Sequence, residues 1–270
     1  MPNAPKKIIL LSGATDGIGL ATAEKLIALG HHVLIHGRNA EKLKATEEKL
    51  RGLDSGIVES YRADLSALCE VEGLAKAIKE KHTRLDVIIN NAGIYKTNTP
   101  ITEDKLDVRF AVNTLAPYLL SRRLLPLMSN KGRIINLSSA AQAPVELDAM
   151  EGKHHLHDQF KAYAQSKLAI TMWSRQLALQ LGKQGPAIIA VNPGSLLASK
   201  MVKEGFGIAG KDINIGADIL IRTSISEEFT QASGLYFDND IGELAAPHPD
   251  GLNTKKCIAL LTSMDKLLKL

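Results

Sequence analysis

Ile8-Ile9-Leu10-Leu11 is a continuous apolar run that stops at Ser12-Gly13. A strand apolar at every position is buried on both faces, as parallel strands covered by helices are. The next residues narrow the choice further. Ser12-Gly13-Ala14-Thr15-Asp16-Gly17-Ile18-Gly19 is a glycine-rich turn, and beyond it Ile18, Ala21, Leu26 and Leu29 recur at helical spacing. Strand, glycine turn and helix in this order open a dinucleotide-binding unit. Gly13 permits the tight turn, Gly17 the close approach of backbone to pyrophosphate, and Gly19 the packing of helix on strand, with the anion at the helix N-terminus. Thr15, Asp16 and Ile18 belong to the same cofactor-facing turn.

The alternation continues along the chain. Residues 32–36 read as a second strand ending at Gly37-Arg38, where such folds meet the adenosine ribose. An acid there would grip the 2′-hydroxyl of NAD and repel the extra phosphate of NADP. That acid is missing, and Arg38 offers a guanidinium suited to a 2′-phosphate. NADP(H) is therefore favoured, with NAD(H) as the alternative; Asp16 is a mild counter-argument, because a cation in the turn would have helped.

Residues 40–50 read as a helix, 56–61 as a third strand, and 67–81 as a helix. Between the last two lie Asp64 and Leu65; Asp64 either accepts from the adenine amino group or caps near the next helix. Residues 85–89 form a fourth strand ending in Asn90-Asn91-Ala92-Gly93. Asn90, Ala92 and Gly93 stand where parallel sheets bind ligands, or form only a strand-ending turn. Residues 102–127 carry a long helical pattern that Pro117 is expected to bend. Within it Asn113 lies among Phe110, Val112 and Leu115, either as a structural hydrogen-bonder or as part of a polar network in the site. Residues 132–137 form a fifth strand delivering Ser138 and Ser139. A helix over 160–181, a strand over 187–192 broken by Pro193-Gly194, a helix over 213–226, a last strand over 234–237 and a helix over 254–268 complete the chain. With no linker and no internal repeat, the expectation is one α/β domain over residues 1–270, a doubly wound parallel sheet of Rossmann type with helices on both faces.

Two stretches are irregular. Residues 142–159 gather Glu146, Asp148, Glu151, His154, His155, His157 and Asp158, but no two of these histidines have the i, i+4 spacing of a zinc helix, so they read as a solvated loop without metal. Residues 195–212 are glycine-punctuated and expected to be mobile. Loops at the carboxyl ends of the strands line the pocket in such sheets, which assigns substrate choice to these two.

The 33 basic and 29 acidic residues are spread along the chain, giving a net charge of +4 with no basic run, so nucleic-acid binding is not indicated. Cys69 and Cys257 have no metal-ligand or CxxC spacing; both read as reduced, packed thiols, consistent with a cytoplasmic protein. The apolar run at 8–11 is too brief for a signal segment or a membrane span.

Tyr163 and Lys167 lie four residues apart on a helix and project from one face. A free tyrosine titrates near ~10, and a fixed cation beside the phenolate lowers that value, so the pair could move a proton near neutrality.

Taken together, Gly13-x3-Gly17-Ile18-Gly19, Asp64, Asn90-Asn91-Ala92-Gly93, Asn113, Ser138-Ser139, Tyr163-x3-Lys167 and Pro193-Gly194 resemble, in order, the short-chain dehydrogenase/reductase family over almost the whole chain. The long gap from Ser139 to Tyr163 and the segment Gly234-Leu235-Tyr236-Phe237 look like its retinol dehydrogenase-like branch. The resemblance implies an oxidoreductase for a small-molecule alcohol or carbonyl. In it Tyr163 is the proton donor or acceptor, and Lys167 lowers the tyrosine's pKa and holds the nicotinamide ribose. Ser139 binds the substrate oxygen and Asn113 supports a water relay. It also implies that Pro193, Gly194 and Ser199 lie at the carboxamide, Ser199 standing in for the family's threonine with one residue inserted. Gln142 replaces the family's glycine after the serine strand. A homodimer or homotetramer built from the long helices is implied too.

Overall fold

The computed structural model describes residues 5–53 and 55–270; residues 1–4, the start of the N-terminal stretch read as carrying no signal segment, lie outside the described residues. Eight strands form one sheet: β1 Ile8–Leu11, β2 His32–Gly37, β3 Ile57–Arg62, β4 Leu85–Asn90, β5 Met128–Leu137, β6 Ala187–Asn192, β7 Tyr236–Asp238 and β8 Glu243–Ala245. Their order is β3-β2-β1-β4-β5-β6-β7-β8, and every neighbouring pair from β3 to β7 is parallel. The doubly wound parallel sheet is as expected, and β8, a strand the sequence did not announce, is added to it antiparallel to β7. A tight turn closed by Gly242 N–H on the Asp238 carbonyl at 2.9 Å joins the two, and so short a connection can link only antiparallel strands.

The helices are α1 Gly17–Ala28, α2 Ala40–Arg51, α3 Leu68–Lys81, α4 Val108–Phe110, α5 Ala116–Leu124, α6 Leu147–Met150, α7 Gln159–Leu181, α8 Lys200–Phe206, α9 Asn214–Ile225, α10 Pro249–Leu252 and α11 Thr254–Leu268. In β1, Leu10 packs into the core between the sheet and α3, α5, α7 and α11, while Ile9 and Leu11 pack into the core beneath α1, α2 and α9. Side chains alternate across a strand, so an unbroken apolar run is what two covered faces require. Each fully buried aliphatic side chain contributes roughly 1.5–3 kcal/mol. Helix α11 turns Cys257, Leu260, Leu261, Met264 and Leu268 inward at helical spacing and packs on α7. As a result α7 is buried almost all round from Ala162 to Ala178.

Other expectations are corrected or filled in. The helix expected from residue 102 starts at Val108, because Asp107 bridges to Ile101 and its carboxylate accepts the Arg109 N–H at 2.9 Å. Its irregularity is a π-helical turn, Ala111–Leu115, and Pro117 lies just beyond it in the first turn of α5. Residues 195–212 contain a helix, α8, capped by the Ser199 hydroxyl accepting from Val202 N–H at 3.2 Å. Cys257 is packed as expected, but Cys69 is exposed at the start of α3; both are free thiols. Among the described residues no helix is long and apolar enough to cross a membrane.

Candidate active site

Strand order reverses between β1 and β4, and parallel sheets bind ligands in the crevice at such a point. A cleft of about 720 Å³ opens there. Its floor is the glycine turn. Gly13 has φ +66°, and a Cβ on it would lie 2.8 Å from Ala92 Cα; a Cβ on Gly19 would lie 2.1 Å from the Gly13 carbonyl oxygen. No side chain fits at either place. Asn91 Nδ2 clamps the turn by donating to the Ser12 and Gly13 carbonyls at 2.9 and 3.0 Å. Asp16 caps α1, its carboxylate accepting the Gly17 N–H at 2.7 Å. His36 braces the turn from below: Gly13 N–H donates to its Nδ1, so Nε2 carries the proton toward the Ala63 carbonyl, and burial pushes its pKa down. These residues leave a backbone cradle of the kind a dinucleotide pyrophosphate fills.

At the far end of the cleft stand Arg38, Lys42 and Arg62. The Arg38 side chain is 71% exposed, 3.8 Å from the Asp64 carboxylate, a surface pairing worth at most about 1 kcal/mol. Arg62 Nε donates to the Arg38 carbonyl at 3.3 Å. Asp64 lines the cleft with Leu65, and one of its oxygens accepts both the Ser66 N–H and the Ser66 hydroxyl ahead of α3.

At the other end are Tyr163 and Lys167, in the first turns of α7. Asp158 starts that helix by accepting the Phe160 and Lys161 N–H groups. The Ser139 hydroxyl lies beside the Tyr163 phenol and favours its ionised form. Ser138 is turned the other way, donating to the Lys167 carbonyl at 3.0 Å and lying 2.6 Å from Thr171 Oγ1. Lys167 Nζ lies 5.7 Å from the Tyr163 ring centre and donates to the Leu137 carbonyl at 2.7 Å. Burial lowers Lys167 to about 8 and raises Tyr163, with the Ser139 hydroxyl pulling the phenol back down. The lowering of Tyr163 expected from Lys167 is therefore not reached by these residues alone, since burial outweighs it.

Asn113 sits in the π-helical turn and is pinned on three sides. Its Oδ1 accepts the Ile94 N–H at 2.8 Å, and its Nδ2 donates to the Ile94 carbonyl and to Ser166 Oγ, both at 2.9 Å. Pro117 has no N–H to offer the Asn113 carbonyl four residues back, as α-helix geometry would require.

Of the other residues singled out, Thr15, Gly17, Ile18, Ala92, Gly93, Pro193 and Ser199 line the cleft. Gly194 lies off its wall, with Leu197 and Ile215 as neighbours. The Asn90 side chain follows Ile88 onto the α5 and α7 face, where its Nδ2 donates to Ser121 Oγ and Asn136 Oδ1 inside the core, which leaves only its backbone for the cleft. The 142–159 stretch also divides. Gln142 donates to the Ser139 carbonyl at 2.9 Å and Ala143 N–H donates to Ala164, but Gly152 and Glu151 pack against Lys105 and Ser263, away from the cleft. His154 pairs with Glu146, and among the described residues no cluster of three or more His, Cys, Asp or Glu could hold a metal.

Sequence reasoning missed several contributors. Arg62 was findable from register, since it pairs with Gly37 at the end of β2. Tyr236, whose hydroxyl donates to the Ser139 carbonyl at 3.2 Å, lies in the Gly234–Phe237 segment but was given no place in the site, and Tyr95, whose ring centre is 5.1 Å from that of Tyr163, carries no local motif.

A sheet switching at this crevice, with a glycine cradle at one end and a tyrosine–lysine–serine cluster at the other, defines a nicotinamide-dinucleotide oxidoreductase fold. The family profile described as short chain dehydrogenase matches residues 7–206, and the chain belongs to that family. Human retinol dehydrogenase 13 is 30% identical over 265 residues, 91% of this chain and 80% of that protein, which places the chain with the retinol dehydrogenase-like branch. The landomycin C-6 ketoreductase LanV, solved with NADP and rabelomycin, superposes with TM-score 0.69 at 28% identity, covering 89% of this chain and 97% of LanV. An RhlG–NADP active-site complex from Pseudomonas aeruginosa gives 0.67 at 25% identity over 86% and 94% of the two chains. The chain is an NAD(P)-dependent short-chain dehydrogenase/reductase acting on CH–OH groups.

Proposed function

We propose that the enzyme uses NADP(H) to interconvert an alcohol with a ketone or aldehyde, with Tyr163 as the acid/base. The observation that carries this reading is the Tyr163 phenol on the cleft wall with the Lys167 ammonium 5.7 Å from its ring centre and the Ser139 hydroxyl beside it. The nicotinamide, when bound, supplies the hydride. In the reducing direction the carbonyl oxygen gains charge; the Ser139 hydroxyl donates to it and Tyr163 hands over its proton. Lys167 would favour the phenolate left behind and hold the ribose. Asn113 would support a water relay. Gly13, Gly17 and Gly19 would cradle the pyrophosphate, Arg38 would meet the 2′-phosphate, and Asp64, Leu65, Ala92, Gly93, Pro193 and Ser199 would complete the cofactor wall. The NADP complexes of LanV and RhlG support this choice of cofactor. The names retinol dehydrogenase and ketoreductase among similar proteins support a hydrophobic alcohol or carbonyl, with Ser199, Lys200 and Met201 of α8 bordering it.

A carbonyl panel read by NADPH consumption tests the reaction, repeated with Tyr163→Phe. Turnover is expected to fall by at least ~100-fold in the variant while NADPH still binds. Turnover unaffected by that change sinks the mechanism. We further propose a cytoplasmic homodimer or homotetramer. The two free cysteines support a reducing compartment, and the family resemblance supports self-association. Because α11 covers α7, the contact would lie away from that helix; light scattering showing only a monomer rejects it.

A further inference from the structure

We infer that Tyr95 is a positioning residue that ties helix α8 to the phenol of Tyr163. The inference rests on the reading of Tyr163 as acid/base and goes beyond it. Tyr95 starts from a fixed backbone, because the Asn113 amide grips both the N–H and the carbonyl of Ile94 next to it. Its buried ring lies 5.1 Å from the Tyr163 ring, tilted by 52°, and 6.2 Å from that of Phe160, nearly edge-on at 77°. Pairs at such spacing add to the burial of their area. On its other side the ring abuts α8: a Cβ on Gly205 would fall 2.8 Å from Tyr95 Cε1 and 2.9 Å from Cδ1.

A glycine inside a seven-residue helix weakens it by roughly 1 kcal/mol relative to alanine, so its presence calls for a reason. The ring of Tyr95 supplies one, since it occupies the space a side chain would take. At its N-terminal end α8 reaches the cleft through Ser199, Lys200 and Met201, and Met201 Cε lies 3.7 Å from the point a Gly93 Cβ would occupy. Helix α8 therefore borders the site with its first turn and leans with its last on a ring that leans on the phenol. Seating of α8 and placement of the Tyr163 hydroxyl form one packing arrangement.

The test compares Tyr95→Phe, Tyr95→Ala, Gly205→Ala and Tyr95→Ala/Gly205→Ala in the full chain. One readout is trypsin cleavage after Lys203, which is exposed on α8; the other is kcat and KM for the best substrate of the carbonyl panel. Tyr95→Phe keeps the ring and is expected to match wild type in both. Tyr95→Ala is expected to speed cleavage and lower kcat by about tenfold each, corresponding to ~1.4 kcal/mol, with KM for NADPH within about twofold. Gly205→Ala, which changes no core side chain, is expected to do the same in the wild-type background and to add nothing in the Tyr95→Ala background. Additive effects in the double variant, or wild-type cleavage in Tyr95→Ala, overturn the inference while leaving the acid/base reading intact. Turnover that survives Tyr163→Phe overturns the acid/base reading instead, and the cleavage measurements do not depend on it.

Discussion

A phenol and an ammonium one helical turn apart do not by themselves make an acid–base pair; their surroundings decide which way each is pushed. Lys167 is buried and falls to about 8 from an ordinary 10.5, so at neutral pH it is still mostly charged. This has a thermodynamic signature with a definite sign. Between about pH 8 and 10.5 the unfolded chain holds the Lys167 proton while the folded chain has released it, so stability contributed by this group rises with pH across that window. Denaturant unfolding of wild type and Lys167→Met from pH 7.5 to 10.5 is expected to show wild type gaining up to about 3 kcal/mol relative to the variant. A difference that stays flat, or shrinks with rising pH, refutes the buried, weakened ammonium. Tyr163 is pushed the other way by its burial, so the charges that favour its phenolate must come from a loaded site as well as from Lys167.

Elements show where local signals are sufficient and where they are not. Asp107 and Arg109 are both buried, and the carboxylate accepts from the Arg109 N–H and from its guanidinium while starting α4. Asp107→Ala removes the cap and strands a buried cation, so it is expected to cost about 3–5 kcal/mol in chemical denaturation. A loss below ~1 kcal/mol would mean that Arg109 finds water on its own. The sequence placed this helix start six residues early, because Thr102, Glu103 and Asp104 are as good an N-terminus by residue type as Asp107. The deciding facts were non-local or backbone-specific: the Ile101–Asp107 bridge and Lys105 at φ +63°. The strands from β1 to β7 were legible, β1, β2, β4 and β6 because their apolar runs stand out. At three residues β8 was not, and its pairing depends on the Gly242 turn. In the site, Tyr163, Lys167 and the glycine turn were readable because spacing alone sets them on one face or in one turn. Motif position alone did not show the alternation that sends the Asn90 side chain into the core with Asn136.

At the scale of the whole molecule the cleft has two donors. Residues from the β1 to β3 half supply the glycine turn, Arg38 and Arg62, and residues from the other half supply Ala92, Tyr163, Lys167 and Ser199. A cofactor held by both halves binds the folded chain and not the unfolded one, so it stabilises by RT ln(1 + [L]/Kd), about 2.7 kcal/mol at a hundred times Kd. The 2′-phosphate should gain a charge-assisted bond from Arg38 worth roughly 1.5–3 kcal/mol, so NADH would bind about ten- to a hundredfold more weakly than NADPH. At the same concentration NADH would then stabilise by only ~0.4–1.4 kcal/mol. Each kcal/mol moves the midpoint of a chain near this size by about 2–4 °C. Thermal unfolding is accordingly expected to rise by roughly 5–10 °C with NADPH and clearly less with NADH. Arg38→Ala should bring the NADPH shift down toward that of NADH and leave the NADH shift in place. Arg62 and Lys42 stand close enough to keep part of the preference, so Arg38→Ala/Arg62→Ala should erase more of it than Arg38→Ala does. Equal shifts for the two cofactors in wild type would show that none of these cations selects, and that the Asp16 carboxylate at the head of α1 has the greater influence on the anion.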